Sequence, residues 1–377
     1  MPITQAKCGV WILDDTHKKL QSGYYQYSGP NVCTLWSWGS NYRGVLGDGT
    51  TINRSSPVQI PGNQWNDIGG GVRHSLARKT DGTLWSWGFN NDGELGVSTT
   101  IHRSSPVQVP GTSWNDMGGG GYYSLARKTD GTLWSWGNNT YGRLGDGTII
   151  PRSSPVQVPG TSWNDISVGS YHSLARKTDG TLWSWGSNYR GVLGDGTTTN
   201  RISPVQVPGT SWNDISGGFR HSLARKTDGT LWSWGRNISG VLGDNTIIPR
   251  SSPVQVPGTS WNDISGGGYH SLARKTDGTL WSWGSNCRGV LGDNTIIHRS
   301  SPVQVPGTSW NDISSGRDHS LARKIDGTLW SWGYNGDGRL GDGTTIHRSS
   351  PIQLPGIVWN NISGGFSRTL ARKADIL

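Results

Sequence analysis

The sequence predicts an all-β fold: a seven-bladed β-propeller with four-stranded antiparallel blades, its ring closed by N- and C-terminal strands sharing one blade. Three observations carry that prediction. The string Leu-Trp-Ser-Trp-Gly recurs seven times, ending at Gly39, Gly88, Gly137, Gly186, Gly235, Gly284 and Gly333, always 49 residues apart. Each copy divides into four short strand-like segments, the number and period expected of a propeller blade. The composition departs from the ordinary in a matching way: there are 58 Gly and 22 Trp in 377 residues, while Leu, Ile, Val and Phe together make up under a fifth.

So few aliphatic side chains would suit a disordered chain. The indoles argue otherwise, since each can bury on the order of 200 Å² of surface. The net charge of +9 is small for this length. The core is therefore expected to consist of Trp and close-packed Gly-rich backbone.

The second copy shows the four segments: WNDIG (65–69), HSLARK (74–79), LWSWG (84–88) and SPVQV (105–109). Gly-Gly, Thr-Asp-Gly-Thr, a Gly-rich loop and Pro-Gly separate them. Gly admits positive φ and Pro cannot continue a central strand, so each is a turn signal. Within LWSWG, Trp85 and Trp87 fall on one face and Leu84 and Ser86 on the other. The last copy stops where another LWSWG would follow, and Leu35–Gly39 supplies that strand from the other end of the chain. The expected organisation is a propeller over 35–377 behind an extension over 1–34. The extension reads as a strand-like Gly9–Leu13 and a short helix capped by Asp14 and stopped near Gly23. So short a helix is unstable alone and must dock. Trp11, Leu13 and Leu20 are its expected attachment residues.

Several classes are excluded. No apolar run approaches the ~18 residues of a membrane span. The N-terminus lacks the basic-then-apolar pattern of a signal peptide. Three Cys (Cys8, Cys33, Cys287) are too few for a disulfide framework. A Cys8–Cys33 bridge stays open, with reduced thiols the simpler reading. The pI near 9.6 leaves room for anionic partners without choosing among nucleic acid, lipopolysaccharide and an acidic protein.

The repeated polar residues read as scaffold. His74, His172, His221, His270 and His319 recur at one position, which Tyr123 and Arg368 fill in the other copies. Blades arranged in a ring cannot converge several imidazoles to the ~2.0–2.1 Å of a zinc site, so hydrogen bonding to a neighbouring loop is expected. Asp48, Asp146, Asp195, Asp244, Asp293 and Asp342, with Val97 in the odd copy, lack the alternating carboxylates of a calcium loop. They are expected to pair with the repeated Arg54, Arg103, Arg152, Arg201, Arg250, Arg299 and Arg348. Basic charge spread evenly round a ring makes a poor nucleic-acid groove, so nucleic acid is not an expected partner. Glu94 is the only Glu, and neither a Gly-x-Ser-x-Gly elbow nor a Walker-type phosphate loop is present. No catalytic residue, cofactor or metal is expected, and the chain reads as a non-enzymatic binding module.

The segment HSLARKTDGTLWSWGSNYRGVLGDGT resembles the repeat of the regulator of chromosome condensation family, with its His, Asp-Gly, aromatic-Ser-Trp-Gly and Asn-x-x-Gly-x-Leu-Gly elements. The resemblance implies the propeller fold across about nine tenths of the chain. Two family activities fit less well. Nucleotide exchange on a small nuclear GTPase is implied to use insertions between blades, and the copies here have none. Ultraviolet-B sensing is implied to use Trp in Gly-Trp-Arg-His-Thr segments, which here read Gly-Val-Arg-His (71–74) and Gly-Phe-Arg-His (218–221). The lead-in over 9–25 resembles that of phage and bacterial virion-type members. It implies a virion structural or fibre-type protein that meets other virion proteins through the extension. The alternative is a cytoplasmic interaction scaffold or small-GTPase regulator.

The seven copies disagree mainly at three places: the loop before HSLARK, the loop after LWSWG and the stretch before the repeated Arg. Alternating strand direction puts the first two on one face and the third in the connection leaving it. Loops on a rigid scaffold are the usual place for binding, and Tyr and Arg are enriched at binding hot spots. The first loop set supplies Arg73, Tyr122, Tyr171, Phe219, Arg220, Tyr269, Arg317, Asp318 and Phe366 as candidates. The second supplies Arg43, Tyr141, Arg190 and Arg288. The expected partner on this face is a protein or a cell-surface glycan.

Overall fold

The computed structural model describes residues 33–356 and 359–374. The expectations placed on Trp11, Leu13, Leu20, Cys8 and the short helix lie outside the described residues. Twenty-eight strands form seven four-stranded antiparallel sheets. Blade 1 runs from the inner strand Trp65–Gly70 through His74–Lys79 and Leu84–Gly88 to the outer strand Arg103–Val109. Blades 2 to 6 repeat this order, and their inner strands sit side by side around the axis. The outer strand carries a Pro, such as Pro106, within a register break. Pro is tolerated there because an edge strand needs no full ladder.

Blade 7 closes the ring. Its order is Trp359–Gly364, Arg368–Ala374, Cys33–Gly39 and Arg54–Ile60. The N-terminal part thus contributes two strands rather than the single strand expected. The joining ladder runs unbroken from Cys33 opposite Ala374 to Gly39 opposite Arg368. Cys33 is disulfide-bonded. Among the described residues the reduced-thiol reading holds for Cys287, while at Cys33 it gives way to the bridge that the sequence left open.

The core lies between blades. Leu76, Leu84 and Val109 of blade 1 meet Trp114, Met117, Ala126 and Trp136 of blade 2. The same Leu-face-on-Trp-face pattern recurs from blade to blade. Period-2 alternation explains it, because each sheet shows aliphatic groups one way and indoles the other. The second Trp of LWSWG is fully buried, and in blade 1 the Trp87 Nε1–H donates to Val45 O of the preceding blade at 3.0 Å. Gly47 makes room for this indole: a Cβ there would lie 2.5 Å from Trp87 Nε1, and its φ is +82°.

A polar ring seals the upper part of these joints. His74 Nε2 lies 2.8 Å from Ser124 Oγ of the next blade, and that hydroxyl donates to Glu94 O at 2.9 Å. A hydroxyl has one proton, so Ser124 must accept from His74 and Nε2 carries the hydrogen. His172, His221, His270 and His319 make the equivalent contact with Ser222, Ser271, Ser320 and Thr369. Burial pushes His221 down to about 3, so the ring is neutral. These His thus form structural hydrogen bonds, and the partner is a strand residue of the next blade rather than a loop. At the closing joint Arg368 replaces His. Its guanidinium donates to Ser75 Oγ (3.0 Å), Gly71 O (3.1 Å) and His74 O. Burial lowers its pKa to about 9.

Candidate functional site

The lower face is built from Thr-Asp-Gly-Thr turns whose polar groups satisfy one another. Asp81 Oδ1 accepts from Thr83 N (2.9 Å) and Oγ1 (2.7 Å), and Thr83 Oγ1 accepts from Trp85 Nε1 (3.0 Å). The Thr83 hydrogen bonds hold the Asp81 carboxyl below its ordinary value. Lys79 Nζ lies over the rings of Trp65 (5.1 Å) and Trp85 (4.6 Å), a cation–π arrangement. The equivalent Lys of the other blades do likewise.

On the upper face an internal frame holds the loops. Asn41 Nδ2 donates to Asp48 Oδ1 (3.0 Å), Asn41 Oδ1 accepts from Leu46 N (2.9 Å), and Arg54 pairs with Asp48 (2.9 Å). The Asp–Arg pairs expected from the repeat form at Asp48, Asp146, Asp195, Asp244, Asp293 and Asp342. Arg103, opposite Val97, has a buried Nε without a partner. The frame fixes tips that carry Arg43 and Arg190 in the left-handed region, at φ +60° and +63°.

None of the candidate residues on this face is buried. Arg43, Arg73, Tyr141, Arg190 and Arg288 are exposed, and Tyr122, Tyr171, Phe219, Arg220, Tyr269, Arg317, Asp318 and Phe366 are half-buried. The ring brings together residues distant in sequence. Arg73 lies over Tyr42 (5.4 Å), Phe89 (5.6 Å) and Tyr122 (5.6 Å), which belong to blades 7, 1 and 2. Arg220 lies over Tyr189 (4.9 Å), Tyr171 (5.5 Å) and Phe219 (5.5 Å). Arg317 lies over Phe366 (4.2 Å) and pairs with Asp318 at 3.4 Å. Arg288 lies 4.0 Å from the Tyr334 ring centre. Hydrogen bonding and charge from Arg43 lower the Tyr42 hydroxyl pKa, and Arg190 does the same to Tyr189. Sequence reasoning passed over Tyr42, Tyr189, Phe89 and Tyr334 as contact residues. The signal available was the Tyr-Arg dipeptide that repeats at 42–43 and 189–190.

Two concave features open on this side. The axial channel narrows to about 100 Å³ among the Gly-rich ends of the inner strands and touches Val72, Phe219, Arg317 and Phe366. A larger cleft of about 530 Å³ is lined by Tyr141, Tyr171, Tyr189, Phe219 and Arg220, with Ser187 and Asn200. The inner strands carry a ring of ion pairs that the sequence did not disclose. Asp116, Asp165, Asp214, Asp263 and Asp312 lie 3.7–3.9 Å from the Arg of the neighbouring strand. Burial and the adjacent carboxylates push Asp116 and Asp263 up to about 7. Among the described residues no three His, Cys, Asp or Glu side chains gather as a metal site. No described helix is long and apolar enough to cross a membrane.

A closed ring of seven four-stranded antiparallel blades with one variable, Arg- and aromatic-rich face defines a seven-bladed β-propeller. The chain belongs to the regulator of chromosome condensation (RCC1) repeat family. The family model matches seven times, at 34–78, 81–127, 130–176, 179–225, 228–274, 277–323 and 326–365. A second model of the same repeat matches six times between 65 and 339. No curated protein sequence matches the chain. Human WBSCR16 shares the fold with a TM-score of 0.83 at 19% identity, over 92% of this chain and 100% of that one. Prp20p of Saccharomyces cerevisiae, studied for its binding to Gsp1p and histones, does so with a TM-score of 0.82 at 22% identity, over 93% of each chain.

Proposed function

We propose that the protein is a non-enzymatic interaction scaffold that holds a protein partner on its upper face. One observation carries this reading. The two faces are built from the same strands, yet variation between copies concentrates on the upper one, where Arg73 and Arg220 have no carboxylate partner among the described residues. Membership of a repeat family built on this scaffold supports protein binding as the class. The virion-fibre reading has no comparable support, because the residues expected to attach the extension lie outside those described and the family match carries no virion trait. A photo-crosslinking side chain at Tyr141, Tyr269 or Phe366 is expected to capture the partner, and one at Asp130 or Asp228 of the lower face is not. Capture from the lower face alone would overturn the reading.

Regulation of a small GTPase is the second reading, favoured by a fold shared with Prp20p over nearly the whole of both chains. Accelerated nucleotide release from a GTPase by the purified protein would move it to first place.

A further inference from the structure

We propose that the Arg73 and Arg220 clusters are twin binding sites for carboxylate side chains of an acidic segment on a protein partner. The inference rests on the upper-face reading and specifies its chemistry. The two clusters share four residues at matching repeat positions. Tyr42-Arg43, Asn53 and Arg73 recur as Tyr189-Arg190, Asn200 and Arg220, each three repeats on. Three steps round a seven-bladed ring place them nearly opposite each other across the channel.

Each guanidinium rests on aromatic faces, at 4.9 Å from Tyr189 for Arg220 and 5.4 Å from Tyr42 for Arg73. Neither it nor the neighbouring Arg43 or Arg190 forms an ion pair among the described residues, whereas Arg317 and Arg339 on the same face are paired with Asp318 and Asp337. A guanidinium stacked on a ring keeps its N–H edge free, and that planar fork matches a carboxylate in two parallel hydrogen bonds. At Arg220 the edge borders the cleft of about 530 Å³, which is large enough for a side chain and has aromatic walls for its apolar stem. A polyanion backbone fits less well. It needs a continuous basic track, and Asp92, Asp318 and Asp337 interrupt the face between the clusters. A second copy of this ring is disfavoured because the like-charged faces repel.

The test uses the full chain and a fluorescein-labelled octa-glutamate peptide, followed by anisotropy at low salt. Losing one charge-assisted contact is worth about 10-fold or more in affinity. Arg73→Gln and Arg220→Gln should each weaken binding by that factor, and the double variant should weaken it more than either. Lys275→Gln on the lower face should stay within about twofold, and the Arg73 and Arg220 variants should keep the wild-type thermal midpoint. Unchanged peptide binding by the double variant overturns the proposal. So does tighter binding of heparin or single-stranded DNA that falls in parallel, because the clusters would then read a polyanion. Neither result touches the crosslinking outcome, so the broader upper-face reading can survive the loss of this one.

Discussion

The two faces of the ring are made by the same strands, and they treat their polar groups differently. On the lower face each turn closes on itself: Asp81 is held by Thr83, Thr83 by Trp85, and Lys79 lies across two indoles. On the upper face the frame of Asn41, Asp48 and Arg54 is equally closed, but the tips beyond it carry Tyr42, Arg43 and Arg73, which have no carboxylate partner. The difference teaches that stability and recognition are segregated along the strand axis. Groups that fix the blade point down or inward, and groups that can vary without cost point up.

That segregation can be broken in three graded ways. The largest effect is expected at a lower-face anchor. Trp261→Ala removes an indole that is 2% exposed and packs on Trp281 and Trp283, and should cost about 3–5 kcal/mol in urea unfolding. Tyr189→Ala, at an upper tip, should change stability by less than about 0.5 kcal/mol. Equal losses would erase the distinction between the faces.

A second test addresses the neutral His ring beneath the upper face. His221 has a folded value of about 3 against 6.5 unfolded, so the unfolded chain binds more protons between those limits. The stability it supplies is fully present above pH 6.5 and is lost as pH falls toward 3, by about 1.4 kcal/mol per unit. The inner-strand carboxylates with raised values oppose this in the whole protein. The difference between wild type and His221→Gln isolates the imidazole, and it should narrow by about 2 kcal/mol from pH 7.5 to 5. A gap that does not move with pH would mean that the imidazole is not buried in its neutral form.

The smallest effect is expected in a lower turn. Gly278 has φ +79°, and a Cβ added there would stand 3.4 Å from Ser309, an ordinary contact distance. Gly278→Ala should therefore cost only the conformational strain, about 1 kcal/mol, and leave octa-glutamate binding unchanged.

The fold was legible because one period carries it. The spacing of LWSWG fixes the blade number, and alternation within the string fixes which face meets which blade. The Asp–Arg pairs and the His position were legible for the same reason, since a polar residue repeated in nearly every copy serves the blade. Three features were not. The second N-terminal strand of blade 7 is the same segment that follows LWSWG in every blade, so nothing local marks it as part of the closure. The aromatic rests of Arg73 come from three blades, and only the curvature of the ring brings Tyr42 and Tyr122 to opposite sides of it. The ring of Asp and Arg was hidden because Asp116 and Arg127 belong to strands whose facing depends on a register break between Trp114 and Asp116.

The uninterrupted 49-residue period has one more consequence. It turns the upper face into a dial with seven stations. The stretch from Tyr189 to Arg220 is a cassette that lies inside one period and is bounded by segments shared with every other copy. Exchange between copies at those shared segments would move the cassette from one station to another while leaving every joint intact. The angle between two recognition groups can then change only in whole steps, and a partner's spacing can be matched by copying rather than by remodelling.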